Sequence, residues 1–306
     1  MHESVLAELV RDGIVESQHF GHLIALDASG APALIKGNPN ELIYPRSAIK
    51  SIQASAMVRK GLNQEVRSLA LICASHSGSR AHQEVALEIL RSAGLDESAL
   101  QCVVDRPLGA QERKEWGDKA PTRLAMNCSG KHAGMLATCV ANNWPIENYL
   151  ETNHPLQIAI REELETLAGE KVSHITFDGC GAPLFLISMH GMAKAFYNLA
   201  TSTDPVHMQV IAACLAHPEM IAGIGRGDTE LMQAVPDLFL KNGAEGVQAA
   251  FFKDGRTVVF KVSDGSERAH GVILQDAFAK MGLNFDVKHP EVFGAGKVIG
   301  EIRAAT

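Results

Sequence analysis

The sequence predicts an α/β fold of the α+β kind: an antiparallel sheet formed by N- and C-terminal strands, flanked by helices, with a helical subdomain beside it. Three observations predict it. The first 36 residues read as β structure, residues 238–262 read as three more strands, and the long middle repeats apolar residues at helical spacing. A chain of 306 residues can bury the core this needs without disulfide or metal staples. No linker or low-complexity tract divides it. The expected organisation is one domain over residues 1–306, its sheet part about 1–46 and 236–306 and its helical part about 47–235.

Each element has a local justification. Phe20–Leu26 and Pro32–Ile35 flank the turn Asp27-Ala28-Ser29-Gly30, a hairpin signal. Helices are expected at Ser47–Lys60, Ala81–Ala93, Gly130–Asn142, His154–Ala168, Pro183–Thr201, Pro205–Ala216 and Asp228–Ala234, several opened by a capping residue or an early proline. Strands Leu238–Lys241, Gly246–Phe252 and Arg256–Val262 are separated by Asn242-Gly243 and Asp254-Gly255, and a helix over about Ser266–Met281 closes at Gly282. A cleft between the sheet and the helical part is the natural place for a site.

Composition narrows the function classes. With 28 basic and 35 acidic residues the net charge is −7, and no Lys/Arg-rich run argues for a nucleic-acid partner. At 46% hydrophobic and 21% charged the chain is not disordered, collagen-like or a coiled coil. No basic region followed by an apolar stretch opens it, and no run approaches ~18 apolar residues, so a cytoplasmic protein without membrane partners is expected. There Cys73, Cys102, Cys128, Cys139, Cys180 and Cys214 should be mostly reduced.

Four constellations can carry chemistry. In Tyr44-Pro45-Arg46-Ser47-Ala48-Ile49-Lys50, Pro45 disfavours helix before it, so Ser47 stands near a helix start with Lys50 one turn on. A lysine so placed can take a hydroxyl proton if its pKa is lowered, while unpaired backbone N–H groups hold an oxyanion. The plainer reading is an N-cap serine with a solvated lysine. Ala74-Ser75-His76-Ser77-Gly78 follows an apolar run and either faces a cleft or forms a turn capped near Ser79. Lys241 ends a strand, and Gly243 and Gly246 let a backbone or a ligand approach, unless the segment is only a hairpin with an exposed lysine. Met126-Asn127-Cys128-Ser129-Gly130-Lys131-His132 and Asp178-Gly179-Cys180-Gly181 each put a thiol in a glycine-bearing loop, compatible with a metal site or a reactive thiol. No Cys-x-x-Cys pair supports a zinc finger.

In this order, Ser-x-x-Lys, a second serine motif and a late Lys-x-Gly are similar to the marks of the serine β-lactamase and penicillin-binding superfamily. Pro45-Arg46-Ser47-Ala48-Ile49-Lys50, Ala74-Ser75-His76-Ser77-Gly78, Asn127-Cys128-Ser129-Gly130-Lys131-His132-Ala133-Gly134, Asp178-Gly179-Cys180 and Lys241-Asn242-Gly243-Ala244-Glu245-Gly246 resemble the signature segments of the rhizobial-type L-asparaginases, which have the serine β-lactamase-like fold. The resemblance runs from about Glu16 to the C-terminal helix. It implies two serine–lysine pairs, Ser47 with Lys50 and Ser75 with Lys241. It also implies one zinc per chain on Cys128, Lys131 and Cys180, with water completing the shell and Asp178 and His132 behind it. A lysine ligand explains why the spacing looks unlike a zinc motif, and it binds metal only as the neutral amine.

The implied reaction is hydrolysis of L-asparagine to L-aspartate and ammonia. Ser47 is the expected nucleophile, activated by Lys50, with Ser75 and Lys241 relaying protons and Lys241 lowering the Lys50 pKa by its charge. Arg46 or Arg226 binds the substrate α-carboxylate, and Asn242, at a position where many relatives carry threonine, also contacts substrate. A homodimer is expected. The alternatives are another acyl-transferring enzyme of the same fold (a glutaminase, β-lactamase or esterase) and a non-catalytic zinc-dependent amino-acid sensor.

Overall fold

The computed structural model describes residues 3–305. Its strands are β1 (Ser4–Arg11), β2 (Ile14–Leu26), β3 (Pro32–Lys36), β4 (Leu42–Ile43), β5 (His174–Phe177), β6 (Pro183–Ser188), β7 (Leu238–Gly243), β8 (Val247–Phe252), β9 (Thr257–Val262), β10 (Glu291–Gly294) and β11 (Lys297–Ala304). Its helices are α1 (Lys50–Arg59), α2 (Val66–Ile72), α3 (Arg80–Ser92), α4 (Ala110–Trp116), α5 (Ser129–Ala141), α6 (Pro155–Ala168), α7 (Met189–Ala200), α8 (Pro205–Ala216), α9 (Pro218–Ile221), α10 (Gly227–Ala234) and α11 (His270–Ala279). No helix among the described residues is long and apolar enough to cross a membrane.

The main sheet runs β10-β11-β1-β2-β9-β8-β7, with β3 also paired to β2, and its ladders are antiparallel. The two chain ends therefore share one sheet, as the fold class requires. Both of its faces are covered. Adjacent residues of a strand point to opposite faces, and on β8 Phe251 meets Phe196 of α7 while Phe252 meets Phe278 of α11. That double cover explains why Val247–Phe252 is buried at every position and shows no polar alternation. It leaves β7 as an edge strand, and the edge faces the helical middle.

Several boundaries differ from expectation. Pro183–Thr201 is not one helix: Pro183–Ser188 pairs with β4 and β5 in a small second sheet, and α7 starts where the Ser188 hydroxyl accepts the Gly191 N–H. A short apolar run cannot by itself tell buried strand from buried helix. The helix expected from Ser47 begins as a 3-10 turn, Arg46–Ile49, before α1. Strand β7 runs on through Asn242 and Gly243, and the turn comes at Glu245 and Gly246, both at positive φ. The C-terminal helix is shorter than the pattern over Ser266–Met281, and beyond it β10 and β11 form a hairpin about a turn at Ala295-Gly296. Helices α2 and α4 lie outside the helices expected from the pattern; Val66 and Arg67 at the start of α2 are exposed and the rest of it, Ser68–Ile72, is buried.

Candidate active site

Four pieces of chain meet at the edge of β7: the Arg46–Ile49 turn, the 73–77 segment, the start of α5, and β7 itself. Gly243 permits one of these contacts. A Cβ there would stand 2.5 Å from the Pro45 carbonyl oxygen and 3.2 Å from the Ala48 nitrogen, so the strand end lies directly on the turn carrying Ser47. Gly130 permits another, because a Cβ would meet the Leu71 carbonyl oxygen at 2.6 Å and push α5 off α2. The 75–77 segment is tied down by backbone: Ser75 and Ser77 donate N–H to the carbonyls of Ile221 and Ala222, and His76 donates to Asn127. The His76 ring is fully buried, bonded to Ser129 Oγ and to the Gly78 N–H, and burial first of all drives its pKa well down. His76 is a neutral brace. The turn expected near Ser79 is also present, and Ser79 caps α3 in a capping box with His82.

Two lysines enter this junction, both only 1% exposed. Lys50 Nζ donates to the Ala74 carbonyl, to Ser75 Oγ at 3.1 Å and to Cys128 Sγ at 3.1 Å. Lys241 Nζ lies 3.1 Å from the same Ser75 Oγ and donates to the carbonyl and side-chain oxygens of Asn242 at 2.7 and 2.9 Å. Ser75 is thus clasped between both amines. No hydrogen bond joins Lys50 to Ser47 Oγ among the described residues; Lys50 turns to Ser75, while the half-buried Ser47 stands on the adjoining turn. Burial, and then the charge of Lys50, push the Lys241 pKa down to about 7. A neutral Lys241 can accept the Ser75 proton while donating to Asn242, and charged Lys50 can donate to the same oxygen.

The thiols lie on the other side of Lys50. Cys128, Cys180 and Lys131 are all buried, and Lys131 Nζ is 3.2 Å from Cys180 Sγ. All six cysteines are free. Hydrogen bonding with Cys128 holds Cys180 far below the usual thiol range against the cost of burial, with Lys131 and His132 assisting. The same contact, together with burial, raises Cys128. Burial works against the Lys131 charge, but Cys180 and Cys128 outweigh it and its pKa rises. His132 bonds Tyr149 through Nδ1 at 2.7 Å. Among the described residues no group of three or more His, Cys, Asp or Glu side chains could hold a metal ion. A set of two thiols and one amine is a different kind of cluster.

The remaining candidates bracket these two centres. Arg46, at φ 52°, places Nε and Nη2 on Asp178 Oδ1 at 3.0 and 2.7 Å, so its charge is spent on that carboxylate. Arg226 donates from Nη1 to the Ser75 carbonyl at 2.9 Å. Asn242 donates its backbone N–H to Asp228 Oδ2 at 3.1 Å and its amide to Glu267 Oε2 at 3.4 Å. Asp228 and Glu267 were not expected here. Asp228 reads in sequence only as an acidic residue in a first helical turn, and no spacing links it to Lys241.

Comparison with known proteins defines the class first: the chain is an amidohydrolase. The family model described as L-asparaginase II matches residues 7–304, nearly the whole chain, and the chain belongs to that family. No match is found among curated proteins. Similar solved structures include Mglu in its native form, at 11% identity and TM-score 0.45, covering 86% of this chain; the chain spans 62% of that protein's length. Others are EstCE1, a hydrolase with promiscuous acyltransferase activity, at 12% identity and TM-score 0.45 over 84% of this chain and 92% of that one, and a β-lactamase from Mycobacterium bovis, at 11% identity and TM-score 0.37 over 86% and 92%.

Proposed function

We propose that the protein hydrolyses L-asparagine to L-aspartate and ammonia through a serine acyl-enzyme activated by lysine. One observation carries this reading: Ser75 Oγ stands 3.1 Å from each of two buried lysine amines, one with its pKa near 7. A hydroxyl so placed can give up and regain a proton at neutral pH. Ser47, on the turn against Gly243, adds its oxygen to the side-chain amide carbon of asparagine. Its proton passes to the Lys50–Ser75–Lys241 centre, which returns one to the leaving nitrogen. Ammonia departs, a β-aspartyl ester remains, and the neutral Lys241 amine then draws a proton from the water that hydrolyses it.

A specific observation favours a second reading, with Ser75 as the nucleophile. Its Oγ already touches both amines, whereas Ser47 Oγ bonds to neither among the described residues. The site would then act with one serine and two lysines, and Ser47 would shape the pocket.

The buried thiols and amine fit a zinc ion. Thiolate sulfur and a neutral nitrogen are good donors for it, and three protein ligands leave a fourth position for water. Cys128, Cys180 and Lys131 would hold it, with Asp178 and His132 behind them. Bound there, zinc supplies positive charge that orients the substrate. Ammonia release by the purified protein over a panel of L-asparagine, L-glutamine and a chromogenic β-lactam tests the activity. Turnover of the β-lactam alone, or tight asparagine binding with no ammonia, would refute it in favour of a β-lactamase or a sensor. A cytoplasmic homodimer is part of the same proposal.

A further inference from the structure

Two side chains at the start of α10 carry opposite charges, stand two residues apart, and do not pair with each other. The backbone holds each in a different direction. Arg226 Nη1 is fixed on the carbonyl of Ser75 at 2.9 Å, and Asp228 Oδ2 on the N–H of Asn242 at 3.1 Å. Lys241 lies between those anchors, since its Nζ reaches both Ser75 Oγ and the Asn242 carbonyl. Each charged group thus keeps one hydrogen-bonding edge unused, within a single residue of the proposed reacting centre. Arg226, Asp228 and Asn242 line one cavity of about 430 Å³, which lies beside Ser75 and Lys241 and is not lined by them.

We infer that Arg226 and Asp228 together recognise the zwitterionic head of a free α-amino acid, the guanidinium taking the α-carboxylate and Asp228 the α-ammonium. This rests on the asparaginase reading and assigns its specificity. Arg46, the other arginine near the site, already has two nitrogens on Asp178, so its charge is balanced without substrate. A lone cation would accept any carboxylate. Two opposite charges kept apart by backbone bonds are satisfied together only by a ligand carrying both. Asp228 also covers the outward N–H of edge strand β7 at Asn242, where an extended peptide would otherwise pair. The site therefore selects free amino acids over peptides and over amides lacking either charge. A site built to bond a charged group rejects the analogue without it, because its own group is left unpaired.

The test is competitive inhibition of L-asparagine hydrolysis by L-aspartate, by succinate, which lacks the α-ammonium, and by β-alanine, which lacks the α-carboxylate. The wild-type protein should prefer L-aspartate to each by about 10–100-fold, the range expected for a charge-assisted hydrogen bond. Asp228→Asn keeps an oxygen for the Asn242 N–H. It should cut the preference over succinate by about tenfold or more and change the preference over β-alanine much less. Arg226→Gln should do the reverse. Glu267→Gln is the comparison, because its carboxylate lies against the side-chain amide of Asn242. Equal inhibition of the wild type by L-aspartate and succinate overturns the inference. So does an Asp228→Asn variant that loses both preferences alike, or a loss of the succinate preference in Glu267→Gln instead. A protein that releases no ammonia from L-asparagine refutes the asparaginase reading. The zwitterion inference is then decided by calorimetric binding of the same three ligands, read by the same ratios.

Discussion

The protonation of Lys241 decides what Ser75 can do. With its pKa near 7, mainly through burial and then through Lys50, the amine is charged and has no lone pair below neutrality. kcat/KM should therefore rise with pH through about 7 and stay high into mildly alkaline solution; a rate that peaks near pH 5 and falls above it would point to a carboxylic acid instead. Lys241→Arg keeps a permanent charge, so it should remove this limb and cost about 10²–10⁴-fold in kcat. The two serines are separated by a second measurement. Alanine at the serine that carries the acyl group should cost at least ~10³-fold in kcat, with the fold intact by circular dichroism. Acid-quenched turnover followed by peptide mass spectrometry should place the β-aspartyl ester on Ser47; an ester on Ser75 selects the second reading.

Among the elements, the contact of β7 with the Arg46–Ile49 turn sets where Ser47 stands relative to the strand that carries Lys241. Gly243→Ala puts a Cβ 2.5 Å from the Pro45 carbonyl, and neither backbone can yield cheaply. It should destabilise by about 1–3 kcal/mol, as overpacking does, and lower kcat more than it raises KM. An unchanged kcat would mean that the strand–turn spacing is irrelevant to the chemistry. Helix α3 offers a control outside the site. Ser79 accepts the His82 N–H in a capping box, so Ser79→Ala should cost about 1 kcal/mol in urea unfolding with little change in kcat. How legible the elements were follows from burial. Helices α3 and α6, with one polar face and clear caps, were readable to within a residue or two. Strand β6 was not, because a run buried nearly throughout loses the periodicity that distinguishes strand from helix.

At the scale of the whole molecule, the proposed zinc site joins parts of the chain about fifty residues apart onto one metal, in a protein whose core already spans both sheet faces and the helical middle. Metal removal should therefore weaken asparagine binding more than it lowers folding stability. Metal analysis of freshly purified protein should find one zinc per chain. Lys131→Met should weaken it, and affinity should climb steeply with pH, because the proton on the raised Cys128 thiol and one on Lys131 must both leave. A metal-free protein with a Cys128–Cys180 disulfide in reducing buffer would refute the site. Absent metal with two free thiols would mean only a weak one.

The sequence by itself determined the fold class and the pieces of chain that build the candidate site. Alternating and helical apolar patterns are local, and so is the order in which Ser47, Lys50, Ser75, Cys128, Lys131, Cys180 and Lys241 occur. Tertiary structure alone decided their partnerships. Lys50 belongs to Ser75 and Cys128 rather than to Ser47 one turn away, because α1 points its amine into the junction of α5 with the 73–77 segment. Arg226 and Asp228 reach the Ser75 and Asn242 backbones across more than a hundred residues in one case and fourteen in the other. A backbone carbonyl or N–H that anchors a distant side chain has no residue identity, so no pattern in the sequence can announce it; only the packing of an edge strand against helices brings it into reach.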